Sequence, residues 1–107
     1  MNEDSAPDPV TLYVFYAGPA DARFDQAYYV EQHLPMVMRA WGPYGLKGLA
    51  AFFPAKPADG TIAICECRFR DEASIQRSLA SRESASVMAD LPRFTDLAAR
   101  RVRAVPL

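Results

Sequence analysis

The segment Val10–Tyr16, VTLYVFY, is apolar on both of the faces that a β-strand presents. Side chains alternate across a strand. Val10, Leu12, Val14 and Tyr16 therefore share one face, and Tyr13 and Phe15 share the other. Leu46–Phe53, LKGLAAFF, reads the same way, with Leu46, Ala50 and Phe52 on one face and Leu49, Ala51 and Phe53 on the other. A sheet that keeps one side in water alternates apolar and polar residues instead. Both faces of the sheet in this chain must be covered.

Helices supply one cover. After VTLYVFY and a Gly-Pro turn, FDQAYYVEQHLPMVMRAW is too long for a strand. On a wheel of about 100° per residue, Ala27, Val30, Leu34, Val37, Met38 and Trp41 fall in one arc, with Phe24 and Tyr28 at its edge. Pro35 lies inside this amphipathic helix, so a kink or break is expected near Leu34. Gly42-Pro43 ends it. Leu46–Phe53 and Thr61–Phe69 read as a hairpin around PAKPADG. Asp71 is placed to cap a second helix, interrupted near Ser81–Ser84 and ended by Pro92. Leu97 to Val105 reads as a weaker final strand. The order β-α-β-β-α-β predicts an α+β, ferredoxin-like fold, a four-stranded antiparallel sheet with both helices on one face.

The second cover is then the same face of a second copy. A bare apolar sheet face is too large a patch for a soluble monomer, and a two-fold axis covers it with itself. The alternative is a monomer whose tails fold over the sheet.

At 107 residues the chain fits one domain, expected at 10–107 behind a flexible lead-in at 1–9. A net charge of −1 argues against a nucleic-acid groove, which needs clustered cations. No apolar run approaches the ~20 residues of a membrane span. The acidic start MNEDSAPDPV is unlike a signal peptide, so the expected location is the cytoplasm. Cys65 and Cys67 sit two apart on one strand face and read as reduced, packed thiols. With a single histidine, no multi-histidine metal site exists within a subunit. No cofactor is expected, although haem on His33 alone stays open. There is no Gly-x-Ser-x-Gly, no phosphate loop and no dinucleotide fingerprint.

His33 is the candidate acid or base, since imidazole titrates near neutral pH. It lies at the border of the apolar arc; local packing before a proline is the other reading. Tyr29, one turn before it, can share its face and polarise a ligand oxygen, or sit as an amphipathic residue at the surface. Trp41 and Met38 are either core or the wall of an apolar ligand pocket. Tyr28 and Phe24, at the edge of the arc, read as core and complete the candidate ligand-binding set. Glu31 falls inside the arc on an unbroken wheel, and the Pro35 kink is expected to turn it out. Arg68 and Arg70 read as solvated, with an acidic ligand as the alternative.

The pattern Phe24-Asp25, Tyr28-Tyr29, His33, Pro35 and Gly42-Pro43 resembles the EthD family of the dimeric α+β barrel superfamily. The second half resembles it through Ser78–Glu83 and through DLPRFTD at Asp90–Asp96. The resemblance implies a homodimer with sheets face to face and a pocket between helix and sheet. It also implies a setting in ether or aromatic degradation beside an oxygenase. The wider superfamily holds several chemistries, so fold alone does not choose one. Two functions follow as expectations. One is an enzyme acting on a small apolar organic molecule with His33 as acid or base, in an isomerisation, cyclisation or cofactor-free oxidation. The other is a non-catalytic binder or an accessory to an oxygenase.

Overall fold

The computed structural model describes residues 9–105. Residues 1–8 of the expected lead-in lie outside the described residues. The elements run β1 (Val10–Gly18), α1 (Gln26–Tyr28), a π turn (Tyr29–His33), α2 (Leu34–Trp41), β2 (Leu46–Phe52), β3 (Gly60–Phe69), α3 (Glu72–Ala80), α4 (Glu83–Ala89) and β4 (Arg100–Arg103). Short 3-10 turns at Gly42–Tyr44 and Leu91–Arg93 follow α2 and α4. The sheet order is β2-β3-β1-β4, antiparallel throughout, so the fold is ferredoxin-like.

The helical face of the sheet carries Leu12, Tyr16, Ala63, Cys65, Cys67 and Phe69, all buried. Leu46 joins them, because a register shift between Leu46 and Gly48 moves it out of step with the rest of its strand. Beyond that irregularity, Leu49 and Ala51 pair with Cys67 and Cys65 and face the helices, while Ala50 and Phe52 face away. The strict alternation expected for β2 therefore fails at its first residues.

The first helix departs more informatively from its wheel. Asp25 caps it, its carboxylate accepting from the Tyr28 N–H at 3.0 Å. The chain then widens into a π turn instead of breaking, with the Leu34 N–H bonded to the Tyr29 carbonyl. Pro35 follows at the start of α2, where its missing N–H removes the bond that would reach back one turn. The wider turn rotates the faces. Tyr29, His33, Val37 and Trp41 are buried, four residues apart in each case. Ala27 and Val30, expected inside the apolar arc, are exposed, and Glu31 is turned out to solvent.

Asp71 caps α3 through the Ser74 N–H at 2.8 Å. The second helix is interrupted at Ser81 and Arg82, as α3 ends and α4 begins. Gly45, at φ +121°, follows the turn after α2; a side chain there would collide with Ser74, so the approach of α3 to this corner requires glycine.

Candidate functional site

The segment after α4 is fastened to the start of the first helix. The Asp25 N–H donates to the Phe94 carbonyl at 2.8 Å, and the Thr95 hydroxyl donates to the Arg23 carbonyl at 2.8 Å. Arg23 forks onto Asp96, with nitrogens 2.8 and 3.1 Å from its two carboxylate oxygens, and also bonds the Pro92 carbonyl. Phe94, fully buried, fills the space beneath. Its ring centroid lies 5.9 Å from that of Tyr16, 5.3 Å from Phe24, 5.0 Å from Tyr29 and 4.7 Å from His33. Aromatic pairs at such distances add about 0.5–1.5 kcal/mol each beyond their burial, so these contacts stabilise the clamp.

The clamp delivers Asp90 to His33. His33 Nδ1 lies 2.9 Å from Asp90 Oδ2, with both side chains almost wholly buried. The other carboxylate oxygen accepts from the Tyr28 hydroxyl at 2.9 Å and has Arg93 Nε at 3.5 Å. Burial pushes the His33 imidazole below its ordinary range, and the Asp90 carboxylate opposes that only in part. Burial pushes the Asp90 carboxyl up, but bonds from His33 and Tyr28 and the nearby Arg93 hold it net below the usual carboxylate range. The resting pair is thus a neutral imidazole on an ionised carboxylate. A carboxylate partner assigns the proton to Nδ1 and leaves Nε2 as a bare acceptor.

Beside this pair lies a cavity of about 470 Å³ between the helices and the sheet, lined by His33. Tyr29, Val37 and Trp41 wall it from the first helix, Val14, Tyr16, Cys65 and Cys67 from the sheet, and Leu79, Ser84, Val87 and Met88 from α3 and α4. The Tyr29 and His33 rings stack at 5.5 Å and 17°. Burial pushes both the Tyr16 and Tyr29 phenols far up, so both stay protonated. The thiols are free, with sulfurs 3.9 Å apart. The Cys65 contact, and then burial, push the Cys67 thiol up. Trp41 Nε1 is buried without a partner among the described residues. No three His, Cys, Asp or Glu side chains gather there to hold a metal ion, and no helix is long and apolar enough to cross a membrane, again among the described residues.

His33, Tyr29 and Trp41 of the expected set line this cavity. Tyr28, Met38 and Phe24 do not. Tyr28 stands behind the imidazole, on the carboxylate. Phe24 packs in the aromatic cluster, and Met38 packs half-buried against the core. Residues of β1, β3, α3 and α4 line the cavity where these three do not.

No protein-family model and no curated protein matches the sequence. Solved structures do. An EthD-like protein from Ralstonia eutropha JMP134 superposes at a TM-score of 0.77 and 23% identity, over 90% of this chain and 89% of that one. An EthD family protein from Bacillus halodurans C-125 gives 0.66 at 19%, over 92% and 100%. The chain has the fold of the EthD-like proteins. SnoaB, a cofactor-independent oxygenase from Streptomyces nogalater, gives 0.62 at 12% identity, over 94% and 97%.

Within this EthD-like fold, two of the three stretches that carry the sequence resemblance meet. Phe24 to Pro35 supplies Tyr28, Tyr29 and His33; Asp90 to Asp96 supplies the carboxylate, Phe94 and the clamp. The sequence resemblance marks DLPRFTD without giving Asp90 a role. A buried carboxylate there had no local signal, because its partner lies 57 residues away.

Proposed function

We propose that this chain is an EthD family member that takes a small, largely apolar organic molecule into the helix–sheet cavity and moves a proton on it with His33. The observation that carries this reading is the buried His33–Asp90 pair at the cavity wall. Asp90 holds the imidazole in the tautomer that aims a bare Nε2 at the ligand and stabilises the imidazolium once it forms. In the step, a C–H or O–H bond of the ligand breaks, the electron pair stays on the ligand as an enolate or phenolate, and the proton passes to Nε2. Return of the proton at another carbon completes an isomerisation. Tyr29, kept protonated by burial and with its ring stacked on the imidazole, is the donor proposed for the developing oxyanion. Apolar walls exclude water from the reacting atoms.

The test is deuterium exchange into 2-tetralone and anthrone, two bicyclic or tricyclic carbon acids, followed by proton NMR. The native protein is expected to accelerate exchange, and His33→Gln to return it to the rate without protein. Equal exchange with both proteins would sink the catalytic reading and leave a binder or accessory protein.

The same proposal includes a homodimer through the open sheet face. Phe15, Ile64 and Phe52 form one row across that face, and Val102 and Tyr13 lie on the next. Phe52 is 54% and Val102 47% exposed, on a face that no helix covers. A second copy laid on it two-fold removes this apolar surface from water.

A further inference from the structure

The lining of the cavity contains one Asp, Glu, Lys or Arg, namely Arg101. Arg101 belongs to the edge strand β4 and pairs with Val14, which pairs in turn with Cys65, which pairs with Ala51. These four form one row across the sheet with their side chains on the helical face. Three of the four, Arg101, Val14 and Cys65, line the cavity and form part of its floor. Strands lie about 4.8 Å apart, so Arg101 rises at the margin of that floor, one strand from Val14.

Arginines on an edge strand commonly guard it against pairing with another sheet. The two neighbouring arginines fit that role. Arg100 points to the opposite face. Arg103 shares the face of Arg101 but is tied down, with nitrogens 2.7 Å from Glu72 Oε1 and 2.6 Å from the Thr11 carbonyl. Arg101 has no hydrogen-bond or ion-pair partner among the described residues. Nothing acidic lines the cavity beside it. The one nearby buried carboxylate, Asp90, stands behind the imidazole and is already bonded to His33 and Tyr28. Arg101 is itself exposed, and an unpaired guanidinium at the rim of an apolar cavity offers a fork for two acidic oxygens.

We infer that Arg101 anchors an anion, and that the ligand is an apolar acid: a hydrocarbon body of one or two rings with a carboxylate or an acidic enol or phenol oxygen at its end. This rests on the reading that the cavity takes an apolar organic molecule, and it adds the charge that the molecule bears. The ring system lies over Val14 and Cys65 with its acidic group at Arg101, which leaves His33 and Tyr29 to face the body of the ligand.

Isothermal titration with 2-naphthoate and with 2-naphthamide, equal in shape and different in charge, tests the inference on the full chain. Native protein is expected to bind naphthoate at least tenfold tighter than naphthamide at low salt, with the preference shrinking as salt rises. Arg101→Gln should bring naphthoate down to the naphthamide affinity and leave naphthamide unchanged; Arg101→Lys should keep part of the preference. Equal binding of both probes by native protein, with both displacing each other and moving the His33 ring resonances, would overturn the anchor and leave the apolar-molecule reading standing. A preference that survives in Arg101→Gln would also overturn it. Absence of binding by either probe at millimolar concentration would overturn both.

Discussion

Asp90 Oδ2 lies 2.9 Å from His33 Nδ1, across 57 residues of chain, with both side chains out of water. A carboxylate in that position favours the charged imidazole, and burial disfavours it more strongly. Replacing Asp90 with Asn removes the favourable part alone. The His33 pKa then falls further, and Nδ1 no longer has a partner that demands its proton. Asp90→Asn is expected to cut proton-exchange activity on the order of a hundredfold and to move the acid limb of the rate profile to lower pH. A variant with unchanged rate and unchanged limb would show that Asp90 does not hold the imidazole for catalysis.

The same burial makes stability depend on pH in a defined window. His33 has a folded pKa below its ordinary 6.5, so the unfolded chain binds the proton more readily. Stability is then complete above that value and is lost as pH falls from 6.5 toward the folded pKa. The carboxylates, including Asp90, add their own loss only lower, as pH falls through their depressed range. Because the chain has one histidine, the first decline belongs to His33. Denaturant melts of native protein and His33→Gln between pH 7 and pH 5 separate the two: native protein should lose stability over that interval and the variant should stay flat. Parallel curves would contradict the assignment.

Much of this was legible in the sequence. The six-element order, the Asp71 cap and the interruption near Ser81 all rest on local chemistry, which a single strand or helix turn contains. The site was legible at His33 and only in part around it. A uniform 100° wheel puts Ala27 and Val30 on the buried face, whereas the π turn selects every fourth residue from Tyr29 to Trp41. That run of Tyr, His, Val and Trp at constant spacing was the missed signal. Asp90 and Arg101 were not legible at all. Each reaches the site through long-range pairing, of the clamp on the first helix and of β4 on β1, which no local pattern encodes.

Tyr28 bears on the site without lining the cavity. Its hydroxyl holds the carboxylate oxygen that His33 does not use. Burial, and then the bond to Asp90, push its phenol up, so it stays a donor. Tyr28→Phe leaves the ring stacked against Phe94 and deletes that one bond. With a donor gone, the Asp90 charge is less well held and bears more strongly on the imidazole. Nitrogen-labelled histidine NMR should then show the His33 pKa rising in Tyr28→Phe while naphthamide affinity stays unchanged. A pKa that stays put would reduce Tyr28 to packing.

The open face makes the last prediction. Phe52, Ile64 and Phe15 stand in register across three strands, and the two most exposed apolar residues of the sheet, Phe52 and Val102, lie on this face. Each points away from the cavity, so a charge placed there tests assembly without touching His33. The monomer mass is 11.9 kDa. Sedimentation velocity of the native chain should give twice that, and the double variant Phe52→Asp, Val102→Asp should give the monomer mass with the His33 ring resonances retained. Two carboxylates per subunit, taken out of water on this face, cost several kcal/mol each without a partner. A native chain that sediments as a monomer at about 100 µM, where a Kd is worth roughly 5–6 kcal/mol, would refute the dimer and leave the open face to some other cover.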